Sequence, residues 1–265
     1  MKPERQPAWL RGAIALAGLL ALWQAGVWLS GVPPYILPGP VAAGQAWANN
    51  ATLILSNTWV TVVEILLGLL LGTLLGAGSA LIVALFRPAR RWLLPLLVTS
   101  QAIPVFAIAP VLVLWLGYGI PSKVGMAMLI IYFPVAASFL DGLRRTEPGW
   151  IDLAATMTAG GRRRRLAVVL YIRVPAALPS LASGIRVAAA VAPIGAIVGE
   201  WVGAGSGLGH LMLMSNARVQ IDLMFAALFT LALFAVALYF TVDVLLRRAL
   251  PWQADAIPHL DPQLE

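Results

Sequence analysis

Long uncharged apolar runs, separated by short polar or glycine-rich segments, make up most of this 265-residue chain. A helix that crosses a bilayer needs about 20 predominantly apolar residues. Six runs are near that length, and each predicts one span: residues 12–29, 65–86, 92–122, 124–140, 181–199 and 223–242. The pattern therefore predicts an all-α membrane protein with about six transmembrane helices.

The run from 92 to 122 is long for a single span, and three prolines interrupt it, at positions 95, 104 and 110. Proline removes a backbone donor and frees a carbonyl that a neighbour or a cavity must satisfy. We therefore expect one kinked span there. Its polar break makes Ser100, Gln101 and Pro104 candidates for lining a solute pathway, and the alternative is a bend that serves packing only.

Three glycines in the run 65–86 lie on one helix face, because Gly68, Gly72 and Gly76 repeat at every fourth position. Small residues at this spacing let two membrane helices approach closely. The face is either a packing seam, within the subunit or against a second copy, or a reflection of how common glycine is in membrane helices.

The composition places the chain in the membrane class. Hydrophobic residues are 60% of the chain and charged residues only 11%, whereas a soluble domain averages about 25% charged residues. The net charge of +7 is explained by arginines at the ends of spans, which makes nucleic acid a poor candidate for a partner. Because there is no cysteine, disulfides and thiolate sites are excluded.

The basic residues predict the orientation. Fifteen of the 18 Lys and Arg residues lie in the tail 1–11, the loop 87–91, the segment 142–180 and the end of the last span. The opposite loops hold only Lys123 and Arg218. Short cytoplasmic loops carry the excess of Lys and Arg. We therefore expect a single transmembrane domain over 12–246, with cytoplasmic tails at 1–11 and 247–265.

Three charged residues lie in or beside the predicted spans: Glu64, Arg186 and Glu200. An ionisable group in a bilayer is a functional-site hypothesis by default. Glu200 joins Pro193 and Gly199 as a second set of candidates for the solute pathway. Each of the three charges also has an explanation without a functional role. Glu64 could extend to the interface or form an ion pair, and Arg186 could extend to the inner interface. Glu200 could be an interfacial acid beside the aromatic anchor Trp201. The stretch 200–222 is rich in glycine and polar residues and does not fit a regular span, and its glycine-rich part, residues 203–209, predicts a flexible outer loop.

The segment 141–179 is the one long interval that is not membrane-grade apolar, and it holds seven of the basic residues. Its sequence predicts a short helix over 151–159. Pro148 suits a helix start, Asp152 lies near the positive end of the helix dipole, and Gly160 with Gly161 suits a helix end.

This segment resembles the coupling loop, the EAA loop, in permease subunits of binding-protein-dependent ABC importers. Asp152, Leu153 and Ala154 match the opening of the family pattern, and Ile172, Val174 and Pro175 match its close. Thr158 stands where the family has glycine, and the interval before Ile172 is about one helical turn longer than the family's.

The resemblance implies the type I ABC importer permease fold, a homodimer in the bacterial inner membrane, and alternating access. It implies two partner ATPase subunits and a periplasmic or lipid-anchored solute-binding protein. No nucleotide-binding loop of the form G-x-x-x-x-G-K-[ST] occurs in the chain, so ATP and Mg would be used by the partner and this chain would be non-catalytic, without a cofactor. The residues implied in ATPase coupling are Asp152, Leu153, Ala154, Ala155, Thr158, Ala159 and Gly160.

The similarity is strongest to the nitrate, sulfonate and taurine branch, and within it to permeases for pyrimidine precursors of thiamine. The resemblance therefore implies that the solute is a thiamine-related pyrimidine or a small anion such as a sulfonate, nitrate or taurine. The alternatives are a self-sufficient secondary transporter or channel and a membrane scaffold without transport. A secondary transporter needs coupling-ion carboxylates deep in its spans or inverted repeats, and the sequence suggests neither.

Overall fold

The computed structural model describes residues 8–157, 166–203 and 205–252. Every regular element among these residues is a helix, which confirms the predicted all-α class. In chain order the helices are α1 (Ala8–Ser30), α2 (Pro40–Asn49), α3 (Ala51–Leu85), α4 (Arg87–Ala102), α5 (Val105–Leu116), α6 (Ile120–Arg144), α7 (Pro148–Met157), α8 (Leu166–Gly203), α9 (Leu208–Ala217) and α10 (Ile221–Ala249).

Within the described residues, four helices are long and apolar enough to cross a membrane, namely α3, α6, α8 and α10. Shorter apolar helices cover Ala17–Ser30, within α1, and Val105–Leu116, which is α5. At 1.5 Å per residue, α3 is about 52 Å long and α8 about 57 Å. Both exceed the bilayer's hydrocarbon core of about 30 Å, so each of these helices extends beyond it.

The helix α3 begins at Ala51, fourteen residues before the predicted start of this span. Its first half contains polar residues, but their side chains bond to carbonyls one turn earlier. Asn57 Nδ2 donates to Leu53 O at 2.8 Å, and Thr58 Oγ1 donates to Ile54 O at 2.7 Å. Because the helix itself satisfies these groups, it continues through the polar stretch that the sequence placed outside the span.

The run 92–122 contains one sharp break, between α4 and α5. Pro95 and Pro110 lie inside helices, whereas Pro104 precedes α5 directly. Ile103 has φ −91° and ψ 117°, which is extended backbone. A residue before proline is pushed out of the helical region by the proline ring, so the break falls at this pair.

The stretch 200–222 is not one regular span, as predicted, but much of it is helical, and among the described residues of the predicted loop 203–209 only 205–207 lie outside helices. The helix α8 continues to Gly203, and α9 covers Leu208–Ala217. Two side chains of α3 accept hydrogen bonds from the first amides of α9: Asn57 Oδ1 from Gly207 N, and Thr61 Oγ1 from Leu208 N, each at 2.8 Å. These bonds satisfy amides that a helix start leaves without partners.

The chain divides into two compact units. The first comprises residues up to 62 together with 204–233. In it, the ring of Trp23 packs on Phe225 and Phe229 with centroid distances of 5.8 and 4.6 Å. Trp47 Nε1 donates to Thr230 Oγ1 at 3.1 Å. Aromatic packing and this bond therefore connect the N-terminal helices of the unit to its part of α10.

The second unit comprises residues 63–203 and those from 234 onward, and α6 is its central helix. A Cβ on Gly68 would lie 2.5 Å from Ala127 Cβ, and a Cβ on Gly72 would lie 2.6 Å from Ile131 Cγ2. On α8, a Cβ on Gly195 would lie 2.6 Å from Ala127 Cα. The glycine face of α3 is therefore a packing seam within the subunit, and α8 has a second seam against the same helix.

The order of these contacts gives the helix directions. The glycines of α3 meet α6 in ascending order, from Ala127 to Val135, so α3 and α6 run parallel. The glycines of α8 meet α6 in descending order, from Ser138 to Lys123, so these helices run antiparallel. Parallel α3 and α6 require an odd number of crossings between them, which agrees with α4 and α5 forming one kinked crossing.

Candidate functional site

The short helix in the basic segment begins at Pro148, three residues before the predicted start at Ile151. Asp152 consequently lies in the second turn, and the first turn holds no acidic residue. The dipole effect falls off within the first turn, so the predicted stabilisation by Asp152 was wrong. Of the other coupling candidates, Leu153, Ala154 and Ala155 lie in α7, whereas Thr158, Ala159 and Gly160 lie outside the described residues.

The helix α7 exposes large apolar side chains. Ala154 is buried, but Trp150 is 54% exposed and Leu153 is 51% exposed. Asp152 is also exposed. Trp150 and Leu153 therefore present apolar side chains on the surface of this chain, in a polar and basic segment outside the apolar runs.

The base of the segment is closely packed. A Cβ on Gly142, near the end of α6, would lie 2.6 Å from Ser180 Cβ on α8. Phe139 and Leu143 of α6 share an apolar cluster with Ala177 of α8. The segment is therefore held at its base by two helices in direct contact.

The helix α8 is continuous from Leu166 to Gly203. The sequence predicted a span only from 181, after Pro175 and Pro179, yet both prolines lie within the helix. A five-residue π-helical segment, Val169–Arg173, precedes them and contains the family-pattern residue Ile172. Segments of this kind accommodate an extra residue in a helix and are frequent at functional sites.

The six predicted pathway residues lie in two places. Ser100, Gln101 and Pro104 lie at the break between α4 and α5, and Pro193, Gly199 and Glu200 lie in the second half of α8. Pro104 is exposed, whereas the three α8 residues are buried. The helices α5 and α8 are in contact near their C-terminal ends, because a Cβ on Gly203 would lie 2.6 Å from Val113 Cγ2.

Three charged side chains form a buried cluster in the second unit, which we call the charge cluster: Glu64, Lys123 and Glu200. Lys123 Nζ lies 2.7 Å from Glu64 Oε1. A Cβ on Gly199, the neighbour of Glu200, would lie 3.0 Å from Lys123 Cα, so this part of α8 lies against Lys123. The relative exposures of Glu64, Lys123 and Glu200 are 0%, 2% and 1%. The cluster connects α3, α6 and α8.

This cluster was not predicted from the sequence, because the charge pattern assigned Lys123 to an outer loop. That assignment was wrong, since α6 begins at Ile120 and contains Lys123. Gly117 and Gly119 have φ values of 80° and 145°, and such a turn allows the helix to start early. Glu200 is likewise buried rather than interfacial, and Glu64 is paired rather than snorkelling.

A second group of charges joins α8 to α10. Arg186 Nε lies 2.6 Å from Asp243 Oδ1, and Arg247 Nε lies 2.9 Å from Asp243 Oδ2. These side chains are partly exposed, with values of 23% for Arg186 and 16% for Asp243. Sequence reasoning named Arg186 but missed Asp243. The available signal was an acid at the end of an apolar run, four residues before Arg247.

Comparison with known proteins identifies relatives over nearly the whole chain. Residues 65–252 match the family described as binding-protein-dependent transport system inner membrane component. A probable ABC transporter permease protein of Haemophilus influenzae is 52% identical over 239 residues, covering 90% of this chain and 96% of the relative. The riboflavin transport system permease protein RibX of Chloroflexus aurantiacus is 37% identical, covering 91% and 89%.

A third relative and a solved structure are also similar to this chain. The formylaminopyrimidine transport permease protein ThiX of Halalkalibacterium halodurans is 35% identical, covering 89% of this chain and 92% of the relative. A structure of the MetNI methionine ABC transporter in an inward-facing conformation matches with a TM-score of 0.62 at 19% identity. It covers 75% of this chain and 96% of the matched chain, so it supports the fold.

Proposed function

Because the chain belongs to the family of binding-protein-dependent transport system inner membrane components, we propose that it imports a thiamine-related pyrimidine across the bacterial inner membrane. The chain is the transmembrane permease subunit of an ABC importer. It works as a homodimer with two ATPase subunits, which bind ATP and Mg, and with a periplasmic or lipid-anchored binding protein. Both termini and the segment 142–180 face the cytoplasm.

The observation that supports a solute without net negative charge is the pairing of cations inside the subunit. Lys123 is paired with Glu64, and Arg186 is paired with Asp243. A sulfonate or nitrate ion in a low-dielectric pathway needs a cation or several donors for itself. The names of two relatives, one for riboflavin and one for formylaminopyrimidine, add support for a nitrogen heterocycle.

The mechanism is alternating access. ATP closes the ATPase dimer, α7 receives that motion, and the continuous helix α8 transmits it to the spans. A population shift of this kind requires ATP to bind one state more tightly than the other. The pathway residues Ser100, Gln101, Pro104, Pro193, Gly199 and Glu200 lie beside the solute when the spans separate.

Transport by the reconstituted complex tests the solute. Proteoliposomes containing the permease, its ATPase and its binding protein are assayed for ATP-dependent uptake of labelled formylaminopyrimidine, riboflavin and taurine. We expect uptake of formylaminopyrimidine and a matching rise in the melting temperature of the binding protein. Uptake of taurine alone would overturn the heterocycle and leave the importer intact.

Assembly and orientation are tested separately. Co-purification of a soluble ATPase discriminates an ABC permease from a secondary transporter, a channel or a scaffold. Because the chain has no cysteine of its own, Ser206→Cys is a clean probe of sidedness. We expect an impermeant thiol reagent to label it only from the outside, and labelling only from the cytoplasmic side contradicts the orientation.

A further inference from the structure

The charge cluster is not balanced. It contains two carboxyl groups, Glu64 and Glu200, but Lys123 is the one buried cation among the described residues. If all three groups are ionised, the cluster has one excess negative charge. An isolated buried charge is very unfavourable in a low-dielectric interior, and it is neutralised or paired in practice.

One oxygen of the cluster has capacity to accept a further bond. Glu64 Oε1 accepts from Lys123 Nζ at 2.7 Å. Glu64 Oε2 is buried and has no hydrogen-bond partner within the described part of the chain. Glu200 lies beside the same pair, because a Cβ on its neighbour Gly199 would lie 3.0 Å from Lys123 Cα. An acceptor in this position, beside a second carboxyl group, indicates a place for a donor or a cation.

We propose that Glu64 and Glu200 bind one positive charge in addition to Lys123, carried by a proton or by a small monovalent cation. The bound charge prevents repulsion between α3, which carries Glu64, and α8, which carries Glu200. It therefore holds these two helices together beside α6, and its loss loosens them. This inference does not depend on the identity of the solute.

Thermal unfolding of the full chain in detergent tests the site, with the fluorescence of its 10 tryptophans as the signal. The variants are Glu64→Gln and Glu200→Gln, which keep the shape of each side chain. The matched control is Glu147→Gln, at an exposed acid. Each protein is melted from about pH 6 to about pH 9, where an ordinary carboxyl group does not titrate. The series is repeated in sodium, potassium and choline chloride at one ionic strength.

The two sources of charge give different results. If the site binds a proton, the folded protein holds one more proton than the unfolded chain, so the melting temperature of the parent falls as the pH rises. That slope is reduced in both cluster variants and kept in the control. If the site binds a metal cation, sodium or potassium raises the melting temperature relative to choline. This rise disappears in both cluster variants.

The proposal is overturned if Glu64→Gln and Glu200→Gln keep the parental dependence on both pH and cation. A measurement on the parent alone covers the case in which the variants do not fold. Infrared spectroscopy at neutral pH detects the carbonyl band of a protonated carboxyl group. Absence of that band together with absence of a cation-specific shift in melting temperature also overturns the proposal.

Discussion

The charge cluster and α7 reverse the usual distribution of residues in opposite ways. The cluster buries Glu64, Lys123 and Glu200 among apolar helices, whereas α7 exposes Trp150 and Leu153 in a basic segment. Buried charges and exposed apolar groups are the informative departures from the general rule that polar groups lie outside. The difference is that the first region holds helices of one chain together, whereas the second presents apolar side chains that the described part of this chain leaves exposed.

The largest effect is expected from removing the cation of the cluster. Lys123→Met leaves two buried acids without their paired cation, and breaking a buried pair from one side costs about 3–5 kcal/mol of unfolding free energy. The measurement is thermal unfolding of the full chain in detergent. The double variant Glu64→Gln with Lys123→Met should recover most of the loss, since it removes both partners. If Lys123→Met alone is as stable as the parent, the buried ion pair does not stabilise the fold as described.

The next effect is on assembly rather than folding. Trp150→Ala removes an exposed aromatic group of α7, and truncating a tryptophan at the centre of an interface costs about 2 kcal/mol or more. We expect the affinity for the ATPase to fall by more than about tenfold, with thermal unfolding unchanged.

The matched control for α7 is Trp252→Ala, since Trp252 is 60% exposed and Trp150 is 54% exposed. Trp252 follows α10 and lies outside the segment 142–180, so its loss should leave the affinity for the ATPase at the parental value. An equal loss of affinity in both variants would remove the assignment of α7 as the docking helix.

The pair between Arg186 and Asp243 has an intermediate degree of burial, and its effect should be intermediate too. Arg186→Met leaves Asp243 with Arg247 as a partner, and water reaches both groups. We expect a loss of about 1 kcal/mol in unfolding free energy, nearer to an exposed pair than to a buried one. Unfolding measured at low and high salt should show a smaller loss at high salt. If Arg186→Met lowered the unfolding free energy as much as Lys123→Met, the degree of burial would not explain the difference between the two ion pairs.

The smallest change in stability is expected for Arg247, the most exposed member of the charge group that it forms with Arg186 and Asp243. Arg247 is 55% exposed and bonds to Asp243 four residues earlier in α10. Pairs of this kind contribute about 0.3–0.5 kcal/mol. Arg247→Gln should therefore change the melting temperature by less than Arg186→Met does. The reverse order would show that Arg247 is the main partner of Asp243.

Much of the fold was predictable because local sequence specifies it. Uninterrupted apolar runs predicted the spans, since a bilayer of fixed thickness needs a run of fixed length. Gly68, Gly72 and Gly76 predicted a packing face, since only their small size allows close approach. Helix bounds were less accurate. Asn57 and Thr61 are polar in the sequence, but their bonds within α3 and to α9 make them compatible with a long helix.

The approximate position of α7 was also predictable, since Pro148 and the family pattern are local signals. The exposure of Trp150 was not predictable, because exposure depends on what packs nearby. The same limit applies to Asp243, whose partner Arg186 is 57 residues away in the chain.

The sequence by itself determined the class of the protein, its family and the approximate position of each span, because these follow from composition and from motifs of neighbouring residues. The tertiary structure alone decided that Lys123 belongs to a buried cluster with Glu64, 59 residues away, and with Glu200. The physical reason is that a charge has the same sequence signature in a loop as in a core. Only the packing of α3, α6 and α8 determines whether water or another charge surrounds it.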